Sequence, residues 1–335
     1  MYLMKSPTIE DVARKAKVGL GTVSRVLNNS PRVSPETRQT VLKVIDELGY
    51  TPNAAARRLS SGRTYTVGIV TPFFTIPSFV ERLTGVQDVL NDSDYDLVLH
   101  SVRSPQHFQD KIKELLSQKR VDGLILLTYP ADEGNWWRSG WNLPVVVIDS
   151  HNVEHYPSII IDNIQGGEVA ANYLISKGHR KIGFIGDELE DEFGFVSTRD
   201  RFDGFMRTIT RHDLVQNSAW YRFGLRGRDA AYANAIEVLS LSERPTAIFA
   251  ASDIQAFGVL NAAHSLGLQV PNEIAVMGFD DIEAAEYMNL TTVRQPLVES
   301  GRMAAELLLS WLTDDTPPAV QRHVQAIEVV ERHSA

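Results

Sequence analysis

From Thr66 onward, short runs of β-branched and aliphatic residues alternate with stretches of helical spacing, and this alternation constrains the fold more than any other feature of the chain. The runs are TVGIV, DLVLH, GLILL, PVVVID, SIIID, KIGFIG, AIFAAS and IAVMGFDD. Apolar strands separated by helices are typical of parallel βαβ units whose sheet is covered on both faces. Such sheets bind ligands at the carboxyl ends of their strands. We therefore predict a doubly wound α/β body with a ligand site at that edge.

The charge of the chain is divided unevenly between its two ends. Residues 1–63 contain 11 Lys and Arg against 5 Asp and Glu, a net charge of +6, whereas the remaining residues contain 22 against 37, a net charge of −15. At 335 residues the chain is also too long for one ordinary core. These two features predict a small basic module that binds nucleic acid, attached to a larger acidic body.

The sequence contains no apolar window of about 18 residues, which a membrane span would need. The first residues, MYLMKSPTIEDVARKA, lack the apolar centre of a secretory signal. The chain has no cysteine, which excludes disulfides and thiolate metal sites and is compatible with a reducing compartment. We therefore expect a cytoplasmic protein without a membrane partner.

The first fifty residues have the pattern of three short helices. Thr8 is placed to cap the first helix, residues 17–19 form a tight turn before the second, and Ser34 and Gly49 mark the two ends of the third. Two short helices joined by a three-residue turn and braced by a third form a helix-turn-helix, whose second helix fits the major groove of DNA. The alternative on spacing alone is an ordinary three-helix bundle.

The stretch IEDVARKAKVGLGTVSRVLNNSPRVSPETRQTVLKVIDELGYTPNAAARRL closely resembles the DNA-binding headpiece of the LacI/GalR family of bacterial transcription regulators. The resemblance implies DNA contacts from two sets of residues. The base-reading positions are Leu20, Gly21 and Arg25, and the phosphate or flanking contacts are Thr8, Thr22, Ser24 and Asn28.

Two glycines depart from the family pattern, which has serine at position 19 and a larger side chain at position 21. Since Gly21 offers no side-chain hydrogen bond, we expect direct readout to rest on Arg25, which can bind guanine with two hydrogen bonds, and on Leu20.

Residues 52–63 are predicted to form a hinge. Asn53 can cap a helix over residues 54–59, but a helix this short is unstable in water by itself. In the family, similar segments become helical as a pair in the minor groove, where a leucine from each subunit wedges into the central base step. Leu59 matches that leucine, and Arg57 and Arg58 flank it for phosphate contacts. The alternative is that Leu59 is a linker residue packed on the body.

The body also resembles the effector domain of this family, two similar subdomains that close on a cleft like a periplasmic sugar-binding protein. The matching segments are RVDGLILL, GHRKIGFIGD, RFDGF, GFDD and LTTVRQP. The resemblance makes Arg201 and Asp280 the polar anchors of the effector pocket, where a guanidinium and a carboxylate can fix hydroxyls or an anionic group. Further pocket positions are Ser78, Phe79, Asp149, Ser197, Phe223 and Asp253, with Phe74 as an additional candidate.

Each pocket assignment has a structural alternative. Arg201 and Asp280 could form only a structural salt bridge, and Phe79 and Phe223 could be core residues. The tryptophans of EGNWWRSGW at 133–141 could stack on a sugar, although surface packing is favoured for them. His151 and His155 are four residues apart, but no third ligand is near, so we predict no metal site and no cofactor. The motifs GxSxG, GxxxxGK[ST] and GxGxxG are absent where they would be expected, so no enzyme is predicted.

These observations predict a helix-turn-helix headpiece over 1–51, a hinge helix over 52–63 and an effector and dimerisation domain over 64–335. The subdomains are placed at about 64–163 with 296–335, and at 164–295. The predicted protein is a homodimeric repressor of a palindromic operator, induced by a small-molecule effector, most simply a sugar. The alternatives are a regulator activated by a purine or phosphorylated co-repressor, a sugar-binding transport component, and an enzyme on a similar scaffold. The end, QAIEVVERHSA, has no leucine heptad for tetramerisation.

Overall fold

The computed structural model describes residues 7–27, 30–51, 62–129, 143–150, 153–190, 192–314 and 316–335. The chain divides into two compact units, Met1–Thr64 and Tyr65–Ala335. The predicted hinge residues Asn53, Arg57, Arg58 and Leu59 lie outside the described residues, so their roles stay predictions. Within the described ranges, no helix has the length and apolar character needed to cross a bilayer.

The amino-terminal unit contains three helices, α1 (Ile9–Ala16), α2 (Leu20–Leu27) and α3 (Pro35–Leu48). Thr8 caps α1 as predicted, since its side chain accepts a hydrogen bond from the Asp11 backbone N–H while the Asp11 carboxylate accepts from the Thr8 N–H. Ser34 caps α3, and Gly49 ends it with a φ of 59°, a left-handed conformation that suits glycine. The small apolar core is formed by Val12, Ala13, Ala16, Val23, Val26, Val41 and Val44.

The second unit contains two six-stranded sheets. The strands are β1 (Thr66–Thr71), β2 (Asp96–Ser101), β3 (Gly123–Leu127), β4 (Val145–Ile148), β5 (Ser158–Ile161), β6 (Ile182–Asp187), β7 (Tyr221–Gly224), β8 (Ala247–Ala250), β9 (Ala275–Asp280), β10 (Thr291–Arg294), β11 (Arg322–Gln325) and β12 (Glu328–Val330). The helices are α4 (Pro77–Asn91), α5 (Pro105–Gln118), α6 (Asn163–Ser176), α7 (Ser197–Arg211), α8 (Arg228–Leu239), α9 (Asp253–Ser265), α10 (Glu283–Tyr287) and α11 (Leu297–Asp314).

The two sheets have matching topologies. The first has the strand order β11-β5-β4-β3-β1-β2 and the second β12-β10-β9-β8-β6-β7. Every described strand pair is parallel except β10 with β12, which is antiparallel. The prediction of a doubly wound α/β body in two subdomains is therefore confirmed.

Burial on both faces explains why the strands are apolar without a polar alternation. In β1, Val67 and Ile69 pack into a cluster with α4 and α11, whereas Val70 packs on the opposite face with α5. Both faces of the sheet are covered by helices, so every side chain of β1 is buried. The edge strand β2 is more exposed, as an outermost strand is expected to be.

The chain crosses between the subdomains at Asp162, at Gln295 and between β11 and β12. The last crossing departs from the predicted subdomain bounds, which placed all of 296–335 with the first sheet. Instead β12 pairs with β10, and the Ser334 hydroxyl accepts from the Thr291 N–H at 2.8 Å. The end of the chain belongs to the second subdomain because the free edge of β10 offers backbone hydrogen bonds that β12 fills.

Candidate ligand cavity and recognition helix

A cavity of about 620 Å³ lies between the two sheets. It is formed where strands of both sheets end, since Asp149 follows β4, Asp187 ends β6 and Asp280 ends β9. This is the edge at which parallel sheets bind ligands. Six of the predicted pocket residues line it, namely Ser78, Phe79, Asp149, Ser197, Arg201 and Asp280.

Arg201 is held on several sides at the base of this cavity. Its Nε donates to the Asn163 side-chain oxygen at 2.9 Å, and Nη1 donates to the Ala251 carbonyl. The guanidinium also lies over the Phe279 ring, 3.6 Å from the ring centre. Burial lowers the pKa of Arg201, and the nearby Asp280 carboxylate opposes that change. The side chain is therefore fixed before any ligand arrives.

Asp280 lies beside Arg201, but its carboxylate accepts no direct hydrogen bond from the guanidinium. Nη1 of Arg201 is 3.7 Å from Oδ1 of Asp280, an ion pair without a direct hydrogen bond. Gln295 Nε2 donates to the same carboxylate at 2.5 Å. Burial raises the pKa of Asp280, while the two guanidiniums of Arg201 and Arg82 act in the opposite direction. Arg201 and Asp280 thus form the salt bridge that the structural alternative predicted, and both side chains also line the cavity.

A second ion pair, which the sequence reasoning did not include, lies in the same cavity. Arg82 Nη2 is 2.9 Å from Asp149 Oδ2 and donates to Gln295 Oε1 at 3.0 Å. The arginine is 3% exposed and lines the cavity with Asp149 and Gln295. Gln295 therefore joins Arg82 in the first subdomain to Asp280 in the second.

A third ion pair also lines the cavity. Arg226 Nη1 is 2.8 Å from Asp187 Oδ2, and Gln255 donates to the same carboxylate at 2.7 Å. The Arg226 guanidinium also covers the Phe195 ring at 5.2 Å. These residues were missed, although Asp187 ends the run KIGFIGD just as Asp280 ends its own strand. A search for carboxylates at strand ends would have found it.

Two predicted pocket residues do not line the cavity. Phe223 packs against the apolar core of the second subdomain, with its ring centre 5.0 Å from that of Phe202. Asp253 is fully buried and accepts hydrogen bonds from Thr292 Oγ1 at 2.5 Å and from the Ile282 N–H at 2.9 Å. Burial raises its pKa well above the ordinary carboxyl value. Both residues therefore pack within the second subdomain and do not line the cavity.

The remaining candidates contribute no described site. Phe74 is 38% exposed and is not among the cavity residues. His155 is exposed, while His151 and the tryptophans of 133–141 lie outside the described residues. In the part of the chain that the structure describes, no group of three His, Asp or Glu residues is arranged to hold a metal ion.

The outer face of α2 is formed by the predicted base-reading residues. Leu20 is 48% exposed, and Gly21 and Arg25 are exposed beside it, whereas Val23 and Val26 are buried. Thr22 and Ser24 are half-buried, and Asn28 lies outside the described residues. A Cβ at position 21 would lie 3.6 Å from Arg25 Nη2, which is an ordinary van der Waals contact.

Comparison with known proteins identifies both units. Residues 8–53 match the family model of bacterial regulatory proteins, lacI family, and residues 171–335 match a periplasmic binding protein-like domain. The HTH-type transcriptional repressor PurR of Erwinia tasmaniensis is 34% identical over 337 residues, covering 98% of this chain and 96% of the relative.

Two solved structures are similar over nearly the full length. The complex of the transcriptional regulator CelR with cellobiose is 32% identical, covers 98% of this chain and all of its own, and has a TM-score of 0.71. The lac repressor dimer bound to operator and the anti-inducer ONPF is 27% identical, with coverages of 98% and 99% and a TM-score of 0.85.

Proposed function

The chain belongs to the lacI family of bacterial regulatory proteins, and from that premise we propose that it is a repressor whose inducer is a neutral sugar bound in the cleft. Members of the family are transcription regulators and not enzymes, so the chain is a DNA-binding regulator under effector control. The alternatives of an enzyme and a transport component are thereby set aside. A cytoplasmic location is part of the proposal, because a regulator acts where the DNA is.

The observation that carries the sugar proposal is the pairing of charges in the cavity. Of the four arginines that line it, Arg82, Arg201 and Arg226 each already face an aspartate, while Arg322 of β11 is exposed and has no ion pair described for it. Hydroxyl groups donate to carboxylates and accept from guanidiniums, so a polyhydroxylated ligand can use both members of every pair. A phosphorylated ligand would have to compete with a carboxylate for each of these three cations.

The size of the cavity supports a ligand of one or two sugar rings, because about 620 Å³ lies within the usual range of small-molecule sites. The solved CelR complex, 32% identical to this chain, contains cellobiose. We place the effector against Arg201 and Asp280, with Ser78, Phe79, Asp149 and Ser197 around it.

On the DNA side, we propose that α2 enters the major groove with Leu20, Gly21 and Arg25 toward the base edges, while Thr8, Thr22, Ser24 and Asn28 contact the backbone. A dimer is needed to place two such helices on a palindromic site, and the lac repressor in its operator complex is a dimer. Asn53, Arg57, Arg58 and Leu59 are proposed to complete the contact in the minor groove.

The test combines ligand binding with DNA binding. The purified protein is screened by thermal shift against cellobiose, maltose, lactose, sucrose, glucose and galactose, with hypoxanthine and guanine as probes for the co-repressor alternative. A ligand at one hundred times its Kd adds about 2.7 kcal/mol of stability. Duplexes selected from a random pool then supply an operator, whose affinity is measured with and without the bound probe.

We expect a sugar to raise the melting temperature and to lower operator affinity. If a purine alone raised the melting temperature and tightened operator binding, the protein would be a co-repressor-activated regulator and the sugar proposal would be wrong. Arg201→Met is expected to abolish the thermal shift, since it removes the guanidinium at the base of the cavity.

A further inference from the structure

The two subdomains repeat the same arginine motif on matching helices. In each subdomain, the first strand of the sheet is followed by a 15-residue helix. Helix α4 follows β1, and helix α7 follows β6. Arg82 precedes Gly85 by three residues on α4, and Arg201 precedes Gly204 by three on α7. The repeat places an arginine near the same point of each helix.

The repeat extends to how these helices are packed. A Cβ on Gly301 of α11 would collide with the Arg82 carbonyl, and a Cβ on Gly167 of α6 would collide with the Arg201 carbonyl. The backbone of each arginine is therefore pressed against a glycine of the neighbouring helix. Such contact fixes the height at which each guanidinium enters the cleft.

The acidic partners are repeated as well. Asp149 directly follows β4 and Asp280 ends β9, and these strands have the same place in the two sheet orders. Both aspartates have a positive φ, 55° and 121° respectively. The Arg82–Asp149 and Arg201–Asp280 distances are 2.9 Å and 3.7 Å, and all four side chains line the one cavity.

From this repeat we infer that Arg82 is a specificity-determining residue of the effector site, forming with Asp149 a second polar grip that mirrors Arg201 with Asp280. The inference rests on the proposed function, because it takes the cavity to be the effector site. The ligand class is a neutral polyol whose hydroxyls reach both subdomains.

The hydrogen bonds around Arg82 support a role beyond structural pairing. Its Nε is buried and, among the described residues, has no hydrogen-bond partner. Gln295, at a crossing between the subdomains, accepts from Arg82 and donates to Asp280. Gln295 is thus hydrogen-bonded to both ion pairs. A ligand that contacts one pair therefore lies against a side chain that is bonded to the other pair, and each pair helps to orient the other.

The experiment measures sugar affinity by calorimetry in the full-length protein, using the six sugars of the thermal screen as probes. Arg82→Met removes the guanidinium and keeps an apolar side chain of similar length, and we expect a loss of about 10- to 100-fold in affinity. Arg82→Lys should recover part of it, since the charge returns without the planar fork. Arg82→Met combined with Asp149→Asn avoids an unpaired buried carboxylate if the single variant folds poorly, and its affinity is compared with that of Asp149→Asn alone, so that the difference reports on Arg82.

The matched control is Arg302→Met, because Arg302 pairs with Asp88 at 3.1 Å between the same two helices, α4 and α11, and does not line the cavity. Its sugar affinity should stay within about twofold of the parent, as expected for a surface ion pair. If Arg82→Met bound the sugar as tightly as the parent while Arg201→Met lost it, this inference would be wrong and the proposed function would stand. If the parent bound none of the sugars, both this inference and the proposed function would be wrong.

The pH dependence of affinity separates a role in the grip from a general packing role. Asp280 faces the cations Arg201 and Arg82, and the carboxylates of Asp149, Asp253 and Glu81 act on it from neighbouring elements. Removing Arg82 takes away one influence that lowers the pKa of Asp280. Sugar affinity should therefore begin to fall at a higher pH in Arg82→Met than in the parent as the solution is acidified. An unchanged pH profile would contradict the inference.

Discussion

At the scale of single residues, charge placement distinguishes the two halves of the chain. Arg25 is exposed on α2 with no ion pair described for it, whereas the cavity arginines Arg82, Arg201 and Arg226 are each paired with an aspartate. An unpaired exposed cation suits a polyanion, because it can take a phosphate or a guanine without giving up a partner. The paired cations suit a neutral ligand.

Substitution of Arg25 tests base readout. Arg25→Lys keeps the charge but loses the planar fork that can make two hydrogen bonds to guanine. We expect affinity for the selected operator to fall by about 1–3 kcal/mol, while affinity for random duplex DNA stays close to that of the parent. Fluorescence anisotropy on both duplexes at one salt concentration measures this. An equal loss on both duplexes would assign Arg25 to phosphate contacts.

Asp253 carries a prediction about stability and pH. Because burial raises its pKa in the folded protein, the folded state binds a proton more tightly than the unfolded state. This contribution to stability is full below the ordinary carboxyl pKa and is lost as the pH rises through the raised value. We expect the parent to lose unfolding free energy over that interval, and Asp253→Asn to lose less. Urea denaturation at a series of pH values checks it, and equal slopes in both proteins would contradict it.

At the scale of elements, the loop between β6 and α7 links the subdomains. Phe193 on this loop is 3% exposed and packs into the cluster that contains Val70 and Phe108 of the first subdomain. Its ring stacks on Phe195 at 5.6 Å and meets the edge of Phe73 at 5.5 Å. Phe195 lines the cavity, and Phe193 two residues before it is buried in the core of the other subdomain. We therefore expect opening of the cleft to withdraw Phe193 from that core.

Phe193→Ala should therefore speed release of the bound sugar. We expect dissociation at least about tenfold faster, because a buried phenylalanine is typically worth about 3–5 kcal/mol. Stopped-flow fluorescence measures the rate. Phe108→Ala, in the same cluster but on α5, is the matched control and should lower the melting temperature more than it changes the release rate. The interpretation fails if the two variants release the sugar equally fast.

At the scale of the whole molecule, regulation requires that sugar and operator affect each other's binding. Thermodynamic linkage makes the coupling reciprocal, and couplings of about 1–3 kcal/mol are typical. If the sugar lowers operator affinity by some factor, saturating operator must lower sugar affinity by the same factor. Titrating the sugar with and without operator, and the operator with and without sugar, tests this. Because equal factors are required at equilibrium, the reciprocal titration checks that both affinities are equilibrium values. A factor of one, with operator affinity unchanged by the sugar, would contradict control by this effector.

The sequence by itself determined the secondary structure and the architecture. Helix caps at Thr8, Ser34 and Gly49 depend on local backbone geometry, and the apolar strands follow from burial on both faces, so both could be read from neighbouring residues. Caps and apolar strands are local features, and local chemistry specifies them. The pocket positions Asp149, Arg201 and Asp280 were instead implied by the resemblance to the family, and the structure places all three on the cavity.

Only the tertiary structure decided which side chains share the cavity. Arg82 and Gln295 are 213 positions apart, and their contact depends on the chain returning to the first subdomain through α11. Phe223 and Asp253 match pocket positions of the family, but Phe223 packs against Phe202, and Asp253 is buried with hydrogen bonds from Thr292 and Ile282. These contacts are set by the strand register and by the points where the chain crosses between subdomains. Register and crossing points arise from the packing of distant segments, and no single stretch of sequence carries a signal for them.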